Sequence, residues 1–394
     1  MFTWIEIKKQ AIKHNLGQFR KIIGPKVKLM AVVKSNAYGH GMVEIAKIAL
    51  KSGANWLGVV NLDEALMLRR AKIKAPIFIL SYWEMTDQVK EAIKQNIDFP
   101  IYTFEQAEFL SNLNKKKSAQ GRSASGGKIN IHIKIDTGAT RIGVSTKEAV
   151  NFIKNVKNLP NLNIVGIFTH YAESESKDQS YTNQQTEKFQ KILSLLRFFG
   201  IKIPLVHSGC SASTINNSKT FFNLVRVGLG MYGLYPSNNT ELSAKKKKIS
   251  ARGGSALGRK ITLEPVLSWK TKIIQIKNVP SGTFVGYDRT YQTDKATKLA
   301  ILPIGYFDGY DRHLSGCGQV LIRGKYCPIR GRICMNLMMV DVSKIPDIKE
   351  DEEVILIGKQ GKNEITVDNL AKKICTINYE VVCRINSLIS RKYV

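Results

Sequence analysis

Eight short apolar runs recur along the first 230 or so residues, and most are separated from the next by stretches with helical periodicity. They are VKLMAVV (27–33), WLGVV (56–60), PIFIL (76–80), FPIY (99–102), INIHIKI (129–135), NIVGIF (163–168), PLVH (204–207) and NLVRV (223–227). Helical patterns follow the first two runs at 42–51 and 62–71. A strand, a helical crossover and another strand place the two strands parallel, and eight such units suit a closed (β/α)8 barrel. The expected fold class is therefore α/β, with a TIM-like barrel over residues 6–237.

After Pro236 the pattern changes. Short strand-like runs with turn residues between them follow from residue 261: VLSWKTKIIQI, TKLAILPI, GQVLIRG, YCPIRGRI, LMMVDV and EEVILIG. A helical stretch returns only at 366–374. This predicts a second, mainly β domain over 261–394, with residues 238–260 as a basic insertion or linker.

The chain carries 60 basic and 31 acidic residues, a net charge of +29. Two segments hold part of that excess: residues 114–128 with five basic and no acidic residues, and residues 236–260 with seven and one. Neither contains an aromatic residue on which a base could stack, so both read as solvated insertions and nucleic acid is not the expected partner. Six cysteines without a C-x-x-C pair point to reduced thiols rather than a disulfide framework or a zinc site. No apolar run is long enough to span a membrane and the first residues do not read as a secretory signal, which makes the cytoplasm the expected location.

Barrel enzymes work at the C-terminal ends of their strands. Reading those ends gives Lys34 after the first run, and Lys134 with Asp136, Thr137, Gly138 and Arg141 after the fifth. The sixth ends in Thr169 and His170, the seventh in His207 with Ser208, Gly209, Cys210 and Ser211, and the eighth in Arg226 and Gly228. A lysine in a desolvated pocket loses its charge more easily and becomes a candidate nucleophile. Glycine-bearing loops after the last strands are where barrels hold phosphate. Together they imply pyridoxal phosphate (PLP).

At AVVKSNAYGHG (31–41) the sequence resembles the alanine racemase family, PLP enzymes of fold type III. KIDTGATRIG (134–143), THYA at 169, HSGCSAS (207–213), RVGLGMYGLYP (226–236), VGYDRTY (285–291), IGYFDGY (304–310), RGRICMN (330–336) and INYEV (377–381) resemble further family motifs in family order. The resemblance covers nearly the whole chain outside the two basic insertions. It implies a barrel followed by a β domain that the extreme N-terminal strand (residues 1–5) joins. It also implies a homodimer in which each active site borrows residues from the partner.

By the same resemblance, Lys34 would attach PLP and serve as the base on one face of the substrate, and Tyr287 would be the base on the other. Racemisation needs both, because a proton taken from one face must be replaced on the other. An ordinary phenol is a poor base, so cations matching Arg141 and His170 would have to lower its pKa. Arg226 would face the pyridine nitrogen, where it cannot give up a proton as an acid could. His207 would buttress it. Tyr38, Ser211, Gly228, Tyr379 and the backbone of Leu229 would hold phosphate, and His170 would line the cofactor. Lys134 would be carbamylated and hold Arg141, Met335 would bind the substrate carboxylate through its backbone, and Tyr306 would narrow the way in.

Four positions depart from the family pattern: Cys210 for asparagine, Asn336 for aspartate, Asp288 for glycine, and an ending SLISRKYV without its usual proline. None touches the two bases. The expected reaction is interconversion of L- and D-alanine, supplying D-alanine for peptidoglycan. The alternatives are a broad-specificity or serine-preferring racemase of the same fold, a PLP aldolase or decarboxylase, and a basic binding protein built on an inactive barrel.

Overall fold

The computed structural model describes residues 2–118, 128–246 and 260–394. Residues 119–127 and 247–259, which hold much of the two basic insertions, lie outside the described residues. The chain divides into two compact units: one of Ile12–Ser35 and Met42–Glu264, the other of Met1–Ala11, Asn36–Gly41 and Pro265–Val394.

The first unit is a closed ring of eight parallel strands: β1 (Lys28–Val32), β2 (Trp56–Val59), β3 (Ile77–Ile79), β4 (Ile97–Ile101), β5 (Ile129–Asp136), β6 (Leu162–Phe168), β7 (Leu205–His207) and β8 (Leu224–Val227). Each pairs with the next, and β8 returns to β1 with Arg226 opposite Met30. The expected strands are present, most of them within a residue or two. The largest difference is β4, which begins at Ile97 rather than Phe99 and so takes in Asp98. Helices such as Met42–Lys51, Leu62–Arg70 and Ser180–Phe198 connect the strands and bury one apolar side each.

Met30, Phe78, Phe168, Leu205 and Leu224, from five strands, form a core cluster, with Trp56 and Leu80 packed against them. The pairing of β5 with β6 slips by one residue between Ile131 and His132, so that His132 faces Gly166. A Cβ on Gly166 would lie 1.9 Å from His132 Nδ1. The missing side chain is what lets the imidazole occupy the barrel interior.

In the second unit, strand Trp4–Ile7 lies between Leu267–Lys272, antiparallel to it, and Ser390–Tyr393, parallel to it. The run VLSWKTKIIQI, read from sequence as one strand, is two. Leu267–Lys272 pairs with Glu353–Gln360, whereas Gln275–Val279 pairs with Thr297–Leu302. The switch falls where Ile273 N–H donates to Glu352 and Ile274 N–H to Ile301. Among the described residues no helix is long and apolar enough to cross a membrane.

Candidate active site

After β1 the chain does something no local signal announces. Ser35, Asn36, Ala37 and Tyr38 all have φ between 52° and 54°, so Lys34–Tyr38 is one turn of left-handed helix made of non-glycine residues. Each such residue costs about 1–2 kcal/mol, so the turn persists only because its surroundings hold it. Glu64 does part of this, accepting from Ser35 N–H at 2.6 Å and from Val60 N–H at 2.8 Å. Further along, a Cβ on Gly39 (φ +81°) would meet the Val382 carbonyl oxygen at 2.1 Å. The turn places Lys34 directly after the C-terminal end of β1.

Cations gather around it. Lys134 on β5 is buried, and its amine is pushed down to about 8, first by burial and then by Arg141, Arg226 and Lys34, with Asp136 opposing. Asp136 has a structural task of its own. Its Oδ1 accepts from the N–H groups of Gly138, Ala139 and Thr140 at 2.9–3.1 Å, which curls the loop that carries Arg141. Burial and the charges of Arg226, Arg141, Lys134 and Lys34 hold His170 well below the usual imidazole range, so it is neutral near pH 7 and not the cation that the resemblance implies.

Arg226 on β8 is buried, and no carboxylate pairs with it among the described residues. Burial lowers its guanidinium to about 10, still protonated at neutral pH. Nη1 lies 2.7 Å from His207 Nδ1, while Nη2 donates to the carbonyls of Thr169 (2.8 Å) and Ser208 (2.9 Å) and lies 3.4 Å from His170 Nδ1. The head group is thereby fixed in orientation.

Beside it, Ser211 Oγ accepts from Gly228 N–H at 3.0 Å and Gly230 N–H at 3.2 Å. This folds the short turn Leu229–Tyr232, whose first N–H groups have no partner within the turn. Gly230 is required there, since a Cβ would come within 2.4 Å of the Phe19 ring. Tyr232 donates its hydroxyl to the Val32 carbonyl at 2.9 Å, tying this turn to the end of β1. Lys34, Lys134, Arg141, His170, Ser211, Arg226, Gly228 and Leu229 thus belong to the barrel unit.

His207 belongs to the barrel unit too, whereas Tyr38, Tyr287, Tyr306, Met335 and Tyr379 belong to the second unit. The rings of Tyr38 and Tyr379 stand 6.1 Å apart, centre to centre. Tyr306 and Met335 sit on backbones bonded to each other, Tyr306 N–H to Cys334 O at 3.1 Å and Phe307 N–H to Met335 O at 3.0 Å. Tyr287 lies on an exposed turn, and the next residue, Asp288, has φ +61°, which explains why glycine would suit that position. Aspartate tolerates the conformation, and Arg332 Nε holds its carboxylate at 2.8 Å. Tyr287, Tyr306 and Met335 are 65%, 42% and 54% exposed in the single chain.

Two buried polar residues of the barrel went unnoticed in the sequence: Asp98 and His132, 4% and 0% exposed. The available signal was a charged or polar residue within an otherwise apolar strand.

The fold and its mouth define a barrel enzyme whose chemistry is set around a lysine among other cations and suited to an anionic ligand. Residues 7–236 match the family description "Alanine racemase, N-terminal domain", and residues 266–393 match "Alanine racemase, C-terminal domain". An alanine racemase of Halothermothrix orenii is 40% identical over 99% of this chain and 96% of its own length. The solved alanine racemase of Clostridium difficile 630 superposes with a TM-score of 0.89 at 32% identity, covering 100% of this chain and 96% of the other. That of Bartonella henselae, a structure with covalently bound pyridoxal phosphate, gives 0.82 at 25% identity and covers 100% of both chains. The chain belongs to the alanine racemase family.

Proposed function

We propose that the chain interconverts L- and D-alanine with PLP as cofactor, Lys34 and Tyr287 acting as the two bases, and that the D-alanine serves peptidoglycan synthesis. The observation that carries this reading is the concentration of positive charge at the barrel mouth. Arg141, Arg226 and Lys34 all act on Lys134 there, with Asp136 the one acid among the groups that shift it. Lys134 and Arg226 are buried, gathering positive charge in an apolar interior is costly, and a phosphorylated anionic cofactor would offset that cost. The residues fit such a group: the Ser211 hydroxyl, which accepts from two backbone N–H groups and keeps its own O–H to donate, the backbone at Leu229, and a lysine held at a strand end. When bound, PLP draws electrons from the bond to the substrate α-proton.

The residues divide the remaining work. Lys34 Nζ attaches the cofactor and holds or accepts a proton on one face of the substrate α-carbon, and Tyr287 Oη does so on the other. Arg226 offers only N–H groups to the ring nitrogen and cannot transfer a proton to it, which disfavours the side reactions that a protonated ring promotes. Tyr38, Tyr379, Ser211, Gly228 and Leu229 hold the phosphate, with His170 beside the ring. Arg141 and the Met335 backbone N–H bind the substrate carboxylate, and Tyr306 narrows the approach. The exposure of Tyr287, Tyr306 and Met335 suits a site completed by a second copy of the chain.

Enantiomer formation from pure L-alanine and from pure D-alanine, with L-serine in parallel, tests the reaction and the substrate. Mixing tests the shared site. Lys34→Ala and Tyr287→Phe subunits, each inactive alone, should recover about a quarter of wild-type activity after random exchange. Half of the dimers are then mixed, and each has one intact site of two. No recovery would mean that both bases come from one chain.

Lys134 is proposed to carry a carbamate. An amine titrating near 8 is about half neutral at pH 8, whereas an ordinary lysine is almost wholly protonated. The neutral form attacks CO2, releasing a proton and leaving an anion that can hold Arg141. The folded-state pKa is depressed, so the reactive form grows in as pH rises through about 8. A carbamate signal in 13C-bicarbonate NMR should therefore strengthen from about pH 7 to about pH 9 and be absent in Lys134→Met. A signal that survives the substitution would assign it elsewhere.

A further inference from the structure

Four side chains from four barrel strands form an unbroken line through the interior. Arg226 Nη1 lies 2.7 Å from His207 Nδ1, His207 Nε2 lies 3.0 Å from His132 Nδ1, and His132 Nε2 lies 3.3 Å from Asp98 Oδ2. All four residues are buried.

The protons in this line are fixed by elementary bookkeeping. A guanidinium has donors and no lone pair, so His207 Nδ1 must accept from Arg226. A neutral imidazole carries one proton, and that of His207 is then on Nε2. Burial, and then the charge of Arg226, keep His207 well below the usual imidazole range, in agreement with a neutral ring. His132 Nδ1 must accept the His207 proton, so the His132 proton is on Nε2 and is donated to Asp98. Every bond runs the same way, from the arginine to the carboxylate.

Neither ring can readily turn. His207 is stacked on Phe168, centroids 4.9 Å apart and planes 2° from parallel. His132 lies 4.2 Å from the Phe78 ring, in space left open by Gly166.

We infer that Asp98 and His132 are positioning residues for Arg226: they lock His207 as an acceptor aimed at the guanidinium and place the arginine's counter-charge two imidazoles away. The inference rests on the proposal that Arg226 faces the cofactor ring. A carboxylate in direct contact would engage two guanidinium N–H groups and neutralise the charge at the pocket. With no carboxylate at all, the buried cation would lack compensation. The relay satisfies Arg226 on the interior side and leaves its charge available at the mouth. Asp98 also acts on Arg69, raising its guanidinium against the effect of burial.

The experiment is 15N NMR of histidine-labelled holoenzyme, which has six histidines, together with kinetics. The expected result is that His207 and His132 both carry their proton on Nε2 and that His207 does not titrate between about pH 6 and about pH 9. His132→Gln, whose amide can accept from His207 and donate to Asp98, should keep the His207 N–H protected and turnover close to wild type. His132→Leu removes the acceptor. It should expose or shift the His207 N–H and lower kcat about tenfold with little change in KM for alanine. Asp98→Asn should keep the tautomers and lose kcat, because an acceptor remains and the charge does not. A His207 proton on Nδ1, or wild-type kcat in both His132→Leu and Asp98→Asn, overturns the positioning role. Arg226→Lys separates the two failures. If it racemises normally, the assignment of Arg226 to the cofactor is wrong; if it is impaired while the other variants are normal, only the relay is.

Discussion

Racemisation by Lys34→Ala is expected to fall by about a thousandfold or more in both directions, since one change removes the cofactor's point of attachment and a base. Enantiomer formation from each pure alanine, with PLP in excess, measures it. Lys134 is the other lysine of the mouth and has the lowered pKa. It is nevertheless poorly placed to substitute, because it stands on β5 with its amine 5.6 Å from the Phe168 ring centre, whereas Lys34 is presented by the left-handed turn after β1. A small amine added in solution should restore part of the activity, because the loss is of a group and not of the fold. Wild-type turnover in Lys34→Ala would transfer the role to Lys134.

Tyr287→Phe should lower kcat/KM by a similar factor, about a hundredfold to ten-thousandfold, and equally from L- and D-alanine. The equality is thermodynamic: enantiomers have the same free energy, so the forward and reverse rates must fall together. Exchange of the α-proton with D2O is not bound in this way. One enantiomer presents its proton to Lys34 and should still exchange; the other presents it to residue 287 and should stop. Proton NMR of the substrate pool in D2O reads this directly. Because Tyr287 is 65% exposed in the single chain, the phenylalanine should change stability by less than about 0.5 kcal/mol, so the effect reports chemistry. Equal loss of exchange from both enantiomers would remove Tyr287 from the proton path and make it a binding residue.

Much of the barrel was legible because it is written locally. Branched residues in short runs, with helical periodicity between them, carry the order and number of the strands, and the polar residues that end those runs are the ones at the mouth. β4 shows where such reading stops. Its residues Asp98, Phe99 and Pro100 include two that strands ordinarily avoid, so local reading starts the strand at Phe99 and leaves the aspartate outside it. In the closed barrel Pro100 still has a place: it lies opposite His132 in the register, and its carbonyl accepts from Trp83 Nε1 at 2.8 Å. In the second unit, the single run at 266–276 divided into two strands because the pairing partners of its halves lie far apart in the chain.

What the sequence determined unaided, then, is the α/β barrel with its β-rich companion, the chemistry-bearing residues at the strand ends, and the family they resemble. The left-handed turn at Ser35 to Tyr38, the lowered amine of Lys134 and the line from Arg226 to Asp98 were decided only by tertiary structure. Strand period is set by neighbours two to four residues away, so it can be read from any short window. The turn is strained in isolation and needs distant contacts to hold it. The amine's pKa depends on burial and on charges brought from other strands. The line exists only once ring closure sets residues 98, 132, 207 and 226 within hydrogen-bonding reach of one another.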